Sequence, residues 1–421
     1  MSTVEKKNSP IFQDSKNIFK PKSEDEVSLI VENLYNNKTP VEIIGLGSKK
    51  FIGNKLQCSK ILDLSNLSGI IEYFPEELYI KVKACTPIIE IEKKLNEHNQ
   101  QLAFEVLDFG YIFSGKSNKG TAAGSVSCNF AGSRRFKVGS VRDYVLGFRG
   151  VNGKGDIIKS GGTVVKNVTG YDLSKLISGS FGTLVALTEI TFKVLPKKLF
   201  NKTILVHEIL KKDIAQLFNK IINSSSEVSG SIYLPLDPNN KSEEIFKFND
   251  TKFNSPYIAI RVEGSKKSIE EKTNNLSTEL ELIDNKSSIL DYYQSDLFWK
   301  KVNNLELFSN TKNSIFRVVI PQSKCASLLE YFDENYRYFI DWCGSLVWFE
   351  ASGLTEEKFF SLRKSIFELG GYLTVIKQQD NGLHIKENFT VNEDILNISK
   401  KIKESFDPRK IFNPGKMYKE I

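Results

Sequence analysis

GGTVVKNVTGYDLSKLISGSFGTLVALTEITFKVLP, residues 161–196, is the stretch that decides the fold. After Gly161-Gly162 and a short polar segment, an amphipathic run begins at Tyr171-Asp172-Leu173, with Leu173, Leu176 and Ile177 at helical spacing. Gly179, Ser180 and Gly182 stop that run, and a strand is predicted over 184–194 before Pro196 ends it. Glycines at both ends of a short helix let backbone amides approach a ligand, because no Cβ stands in the way. Taken alone, the pattern favours a tight helix–strand turn in any α/β or α+β domain.

Upstream, EDEVSLIVENLYN (24–36) predicts a helix opened by acids, which favour a helix N-terminus. Residues 41–44 predict a strand running into Gly45-Leu46-Gly47-Ser48, and 60–64 and 78–84 predict two more. Pro87 followed by Ile88, Ile91 and Leu95 predicts a helix with proline in its first turn. Gly120-Thr121-Ala122-Ala123-Gly124 begins a run of small residues that ends at Asn129. Segments 144–151 and 156–159 flank Asn152-Gly153-Lys154-Gly155, a hairpin turn. Downstream of Pro196 the texture changes to Asn, Ser and Lys with fewer glycine turns. Strands are predicted there at 258–262, 315–320 and 346–349, and helices at 267–280, 324–334 and 355–369. The chain closes on the turn-rich FDPRKIFNPGKM (406–417).

Composition narrows the classes. The 421 residues allow two or three domains, and 40% hydrophobic with 26% charged residues is an ordinary globular balance. No run of 18 apolar residues exists, so no membrane-spanning helix is expected. The start, MSTVEKKNSPIFQDSKNIFK, lacks an apolar signal core, so the cytoplasm is the expected compartment. The net charge of +7 comes from lysines scattered among acids, which predicts no nucleic-acid partner. Cys58, Cys85, Cys128, Cys325 and Cys343 contain no CxxC, which argues against a disulfide framework, a structural metal site and a cysteine-held iron–sulfur cluster. No metal is expected, and any iron–sulfur relay belongs to another polypeptide.

KNVTGYDLSKLISGSFGTLVALTEITFKV (166–194) resembles the closing segment of the FAD-binding domain of the vanillyl-alcohol-oxidase type, the PCMH-type fold. The 406–417 segment resembles the DPxxIFNPGK tail that closes FAD-linked oxidases of this type. VGSVRDYVLG (138–147) is similar to the FAD-binding subunits of bacterial glycolate oxidases. With matches at 41–53, 108–195 and 406–417, the resemblance spans roughly half the chain. It implies an α+β fold: a two-lobed FAD-binding domain (1–198), a cap domain (199–405) for substrate or subunit contact, and a tail (406–421) returning to the FAD domain.

The cofactor implied is FAD. Its pyrophosphate needs several donors to offset lost hydration, and glycine-rich turns supply them. The resemblance lays Gly45, Gly47, Ser48 and Lys49 along the pyrophosphate; no third glycine completes a GxGxxG, so a nicotinamide site is not supported. Gly120, Thr121, Gly124 and Ser125 match the family's GTxGG pattern, with Ala123 as the departure, and Asn129 and Gly132 match the following NxxG. Ser140, Tyr171, Asp172 and Gly182 are further matches, with Gly170 beside them, and Asn413 is expected to approach the flavin from the tail. Tyr171 either covers part of the ring system or fills core beside it. Arg134-Arg135 either clamps a phosphate or carboxylate or is a solvated loop pair, and Arg142-Asp143 is expected to be a structural ion pair.

Covalent members of the family attach FAD through histidine or cysteine. Here His98, His207 and His384 all lie outside the matching loop, and Cys128 is expected to pack, so the FAD is expected to be non-covalent. No histidine- and acid-rich cluster appears late in the chain, where His384 stands alone in NGLHIKEN and is expected at the surface, so no catalytic residue is assigned. The resemblance therefore implies a subunit accompanying a catalytic FAD subunit and an iron–sulfur subunit. Such a complex oxidises glycolate, a 2-hydroxy acid, to glyoxylate and sends electrons through flavin, with attachment to the inner membrane left open through partners. A self-sufficient FAD-dependent 2-hydroxy-acid oxidoreductase is the competing expectation. A cofactor-free descendant of the fold is disfavoured by the intact glycines at 45, 47, 124 and 182.

Overall fold

The computed structural model describes residues 13–15, 17–163, 170–236, 241–248, 255–281, 286–379 and 385–421. His384 and the 164–169 part of the opening stretch lie outside them.

The first lobe is a small sheet in the order Gln13–Ser15, Ile18–Phe19, Lys60–Asp63, Val41–Ile44, whose last three strands run parallel. The helix Glu24–Asn36 is capped by Ser23, whose hydroxyl accepts from Glu26 N, and acids fill its first turn. It buries Val27, Ile30, Val31 and Leu34, the i, i+3, i+4, i+7 stripe, against Phe19, Val41 and Leu62.

The second lobe is an antiparallel sheet in the order Ile70–Phe74, Tyr79–Lys83, Val185–Pro196, Val145–Asn152, Ile157–Gly161, with Gln100–Leu102 added alongside Val185–Pro196. The strand from the opening stretch is thus its centre, which explains why residues of both faces are buried along nearly all its length. The helix Ile88–Asn96 packs Ile88, Ile91 and Leu95 into this lobe. The hairpin at 152–156 forms as its turn residues require, with Asn152 Oδ1 accepting from Lys154 N and Asp156 N.

Residues 200–377 build an eight-stranded antiparallel sheet in the order Ser287–Leu290, Phe200–His207, Tyr257–Gly264, Gly230–Leu234, Arg337–Asp341, Leu346–Ala351, Ser314–Val319, Tyr372–Lys377. Alternate residues face opposite ways, as the two-residue period of a strand demands. Phe316, Tyr338, Val347 and Phe349 pack under the helices Ile214–Ile222, Lys266–Glu279 and Glu356–Glu368. Ile315, Phe339, Leu346 and Trp348 face the first half of the chain, where they meet Phe109, Phe130 and Phe181. The helix predicted over 324–334 is shorter, Cys325–Leu329, because Asp333-Glu334-Asn335 forms a turn that Tyr336 N closes onto Asp333 O. The helix Glu393–Phe406 then leads the tail back, and Val41 N donates to Ile411 O while Asn413 N donates to Val41 O.

Candidate functional site

A cleft opens where the two lobes and the tail meet. Its walls are the Ile43–Lys49 segment, the helix Ala122–Cys128, Phe181-Gly182 and Leu187, and Asn413 and Lys416 of the tail.

The 45–49 turn leaves the end of the strand Val41–Ile44 and carries the site's main donors. Among the described residues, none of the amides of Leu46, Gly47, Ser48 and Lys49 meets an acceptor. Four consecutive unpaired N–H groups form an anion-binding concavity. Gly47 stands at φ +70° with open space where a Cβ would be, so the backbone itself faces the cleft.

Across the cleft Thr121 caps the helix Ala122–Cys128, its hydroxyl accepting from Gly124 N at 3.1 Å. Ala122 N and Ala123 N donate to Thr86 O and Ala84 O. That helix end has therefore spent its amides internally, and the free donors belong to the 46–49 turn. The other end is closed by Gly179 N and Phe181 N, which donate to Val126 O and Ser127 O, so the glycine-rich turn of the opening stretch is a cap for this helix.

Two cations line the cleft. Lys49 is buried, with Nζ donating to Ser48 Oγ and Lys119 O at 3.2 Å each, and burial pulls its pKa down. Lys416 is also buried, donates to Lys50 O at 2.7 Å, and is lowered for the same reason. Among the described residues neither forms an ion pair. Uncompensated buried charge beside four unpaired amides is the donor set that an anionic diphosphate needs, so the residues present fit such a group.

The expected site residues divide into two sets. Gly45, Gly47, Ser48, Lys49, Thr121, Gly124, Gly182 and Asn413 come together on the cleft. Gly120 sits behind them: a Cβ there would lie 2.2 Å from Ser48 Oγ, at φ +78°, so glycine lets the two loops close on each other. Ser125 is turned into its own helix and donates to Thr121 O. Asn129 ends that helix in the left-handed conformation and accepts from Arg142 N.

Several expectations need correction. Gly132 does not line the cleft; it packs at the boundary with the eight-stranded sheet, where its carbonyl accepts from Trp342 Nε1. Ser140 forms a capping box with Asp143. Tyr171 is 93% exposed, so it fills no core, and Asp172 caps the helix Leu173–Ile177. Arg134 clamps no phosphate: it is ion-paired to Glu263, and Glu105 in turn pairs with Arg261 at 2.7 Å. The Arg142–Asp143 ion pair, by contrast, forms as expected, at 3.9 Å on the surface.

Asn413 lines the cleft but is engaged on both sides. Its Oδ1 accepts from Ile43 N at 2.7 Å, and its Nδ2 donates to Phe181 O at 2.8 Å. Sequence reasoning missed Lys416, Phe181 and two cysteines on the cleft wall, Cys85 and Cys128. Lys416 was within reach, since it belongs to the same NPGK tail as Asn413. Among the described residues no group of three His, Cys, Asp or Glu is placed to hold a metal ion.

The FAD binding domain family matches residues 15–161, which contain the 46–49 turn, the Thr121 cap and most of both lobes. Residues 15–161 form an FAD-binding domain. The cleft continues beyond them to Phe181, Leu187 and the tail, which the match leaves out. Glycolate oxidase subunit GlcE of Escherichia coli (strain K12) is 29% identical over 392 residues, covering 93% of this chain and 96% of that protein. Glycolate oxidase subunit GlcD of Bacillus subtilis (strain 168) is 24% identical over 428 residues, covering 95% of this chain and 88% of that protein. The solved structure of an alkyldihydroxyacetonephosphate synthase superimposes with a TM-score of 0.61 at 17% identity, covering 95% of this chain and 76% of that one. That likeness is one of fold alone. Among the described residues no helix is long and apolar enough to cross a membrane.

Proposed function

We propose that this chain is the FAD-binding subunit of a complex that oxidises glycolate, a 2-hydroxy acid, to glyoxylate and passes the electrons to partner subunits. The observation that carries the reading is the nest of four unpaired amides at 46–49 facing a cleft built from both lobes and the tail. The end-to-end similarity to a glycolate oxidase subunit gives it a substrate class. When bound, FAD supplies the acceptor for a hydride from the carbon bearing the hydroxyl.

The chain's own residues hold and enclose it. Gly45, Gly47, Ser48 and Lys49 take the pyrophosphate, with Lys49 and Lys416 offsetting its charge. Thr121, Gly124 and Gly182 form the facing wall. Gly120, Ser125 and Asn129 act one layer back by setting the loops and the helix, and Asn413 positions the strand and turn that it bridges. Gly132, Ser140, Tyr171 and Asp172 contribute shape without touching the cofactor.

Attachment is non-covalent although two thiols line the cleft. Burial pushes Cys85 up to about 12 and Cys128 up to about 11, so neither is a thiolate near neutral pH, and the thiolate is the nucleophile. The domain division is at residues 198 and 405, with the returning tail completing the FAD-binding domain. The partners are a catalytic FAD subunit and an iron–sulfur subunit. The complex works in the cytoplasm, and any hold on the inner membrane comes through those partners.

The test begins with a visible spectrum of the purified chain, repeated on the supernatant after acid precipitation. Flavin released to the supernatant is the expected result; colour in the pellet means a covalent link, and a colourless chain that takes up no added FAD overturns the site. Glycolate-dependent dye reduction is then measured with and without the partner subunits. Reduction by the complex alone fits the subunit reading. Full turnover by the isolated chain makes it self-sufficient.

A further inference from the structure

Beside the cleft lies a second hollow, bounded by the 50–57 loop, the tail at 415–419, the outer strand Tyr372–Lys377 of the eight-stranded sheet, and residues 385–388. Glu42, Lys50, Leu56 and Lys416 stand in the walls of both. Asn54 makes the frame rigid by joining three parts of the chain. Its Oδ1 accepts from Asn388 N at 2.7 Å, its Nδ2 donates to Met417 O at 3.0 Å, and its N donates to Lys416 O at 2.9 Å. Asn388 is buried and returns a bond, Nδ2 donating to Gly53 O at 2.6 Å. Gly53 permits that closeness: it stands at φ +94°, and a Cβ there would lie 2.8 Å from Lys416 O. A surface fixed before it meets a partner loses little freedom on binding.

Charge on this face is one-sided. Five lysines line the hollow against two acids, Glu42 and Glu387. Lys50 is held by Glu42 at 3.5 Å, and Lys416 is turned inward to Lys50 O. Lys55, Lys386 and Lys419 are exposed, and among the described residues none of the three forms an ion pair or a hydrogen bond. Beside them Phe51 is 67% exposed, its ring centre 5.6 Å from that of Phe113. An aromatic anchor inside a charged rim is the anatomy of a protein interface. A second copy of this chain does not fit it, because a symmetric contact would set lysine against lysine. An acidic partner does.

We infer that this face docks the iron–sulfur subunit, through an acidic surface that also offers an apolar contact to Phe51, an assignment that rests on the function proposed above. A partner that draws electrons from the cofactor has to lie against the cleft, and the hollow and the cleft have four wall residues in common. Contacts between electron-transfer proteins are small and steered by charge, and three free lysines around one aromatic ring match that scale.

The experiment measures binding of the purified iron–sulfur subunit to the immobilised, FAD-loaded chain by surface plasmon resonance at low and high salt. Binding is expected to weaken as salt rises, because exposed charges are screened. Lys55→Glu, Lys386→Glu and Lys419→Glu combined are expected to lower affinity roughly ten- to a hundred-fold and to flatten the salt dependence, at unchanged flavin content. Phe51→Ala is expected to speed dissociation roughly tenfold while the salt dependence stays. Lys154→Glu, Lys212→Glu and Lys267→Glu make the same change of net charge at exposed positions elsewhere, and that control is expected to bind nearly as the wild type does. Wild-type affinity in the triple variant of the hollow overturns the docking face and leaves the subunit reading, as does an equal loss in the control. A wild-type chain that binds no iron–sulfur subunit overturns both. If the triple variant loses flavin, Phe51→Ala decides, and unchanged dissociation there overturns the face. Weakened binding confined to the variants of the hollow, in a complex that reduces no dye with glycolate, keeps the face and defeats the proposed oxidation.

Discussion

Lys403 and Asp407, one helical turn apart at the end of the helix Glu393–Phe406, form a completely buried ion pair with Nζ 2.8 Å from Oδ2. Every polar atom of the pair is used. Lys403 also donates to Thr183 O and Phe412 O, and Asp407 accepts from Ile411 N and Phe412 N. The pair is the rivet that fixes the returning tail to the FAD-binding domain. Removing one partner strands the other in the interior, which costs about 3–5 kcal/mol. Lys403→Met is therefore expected to lower the urea midpoint strongly and to expose the tail to limited proteolysis. Replacing both residues, Lys403→Met with Asp407→Leu, should cost less than the sum of the two single changes; additivity would show that they do not act as a unit.

Gly120→Ala tests how closely the two cleft loops approach. The new Cβ would lie 2.2 Å from Ser48 Oγ and would have to adopt φ +78°. The left-handed conformation alone costs about 1–2 kcal/mol, and relief of the clash moves the 45–49 turn. The variant is expected to fold with a lowered Tm and to retain far less flavin, read as the ratio of flavin to protein absorbance. Full flavin retention would separate Gly120 from the site.

Asn413→Ala removes the bridge between Ile43 N and Phe181 O, bonds of 2.7 and 2.8 Å. Leaving one buried and one half-buried backbone group unsatisfied costs about 2–4 kcal/mol in total. Asn413→Asp keeps the acceptor for Ile43 N but has no donor for Phe181 O, so its loss should fall between wild type and alanine. Denaturant unfolding of the three proteins gives that order, and an aspartate variant as stable as wild type would contradict it.

Asp341 predicts a pH dependence. Burial pushes its pKa up to about 7, against about 3.9 for a free side chain, while Ser133 and Trp342 N pull it partly back. The folded state therefore holds a proton that the unfolded chain has already released. Its contribution is fully favourable below about pH 4 and is lost as pH rises towards 7, by up to a few kcal/mol. Asp341→Asn cannot ionise, so the difference in unfolding free energy between wild type and variant should shift in favour of the variant as pH rises from 4 to 7. A pH-independent difference would rule out this titration.

The local signals in the sequence carried much of the first half. The acids opening 24–36, the alternation at 78–84, the proline ahead of Ile88 and the glycine hairpin at 152–155 each fix a nearby backbone choice, and each formed within a residue or so. The glycine turn at 45–47 was legible as a loop able to present its amides, whereas Lys49 and the glycines across the cleft were marked by the family resemblance. The eight-stranded sheet was only partly visible: strands such as Gly230–Leu234 and Phe200–His207 are short or buried on both faces, so they show no clean two-residue period.

The sequence by itself determined which segments can turn, cap and pair, because those preferences are set by neighbouring atoms along one chain. Tertiary structure alone decided that the amides at 46–49 stay unpaired while those at Ala122 and Ala123 are spent, that Asn413 is a bridge, and that Tyr171 faces solvent. It also brought Arg135 and Arg317, 182 positions apart in the chain, onto the indole of Trp342. Such facts depend on which distant groups share a low-dielectric space, where an unmet hydrogen bond or charge is expensive, and no local spacing encodes that company.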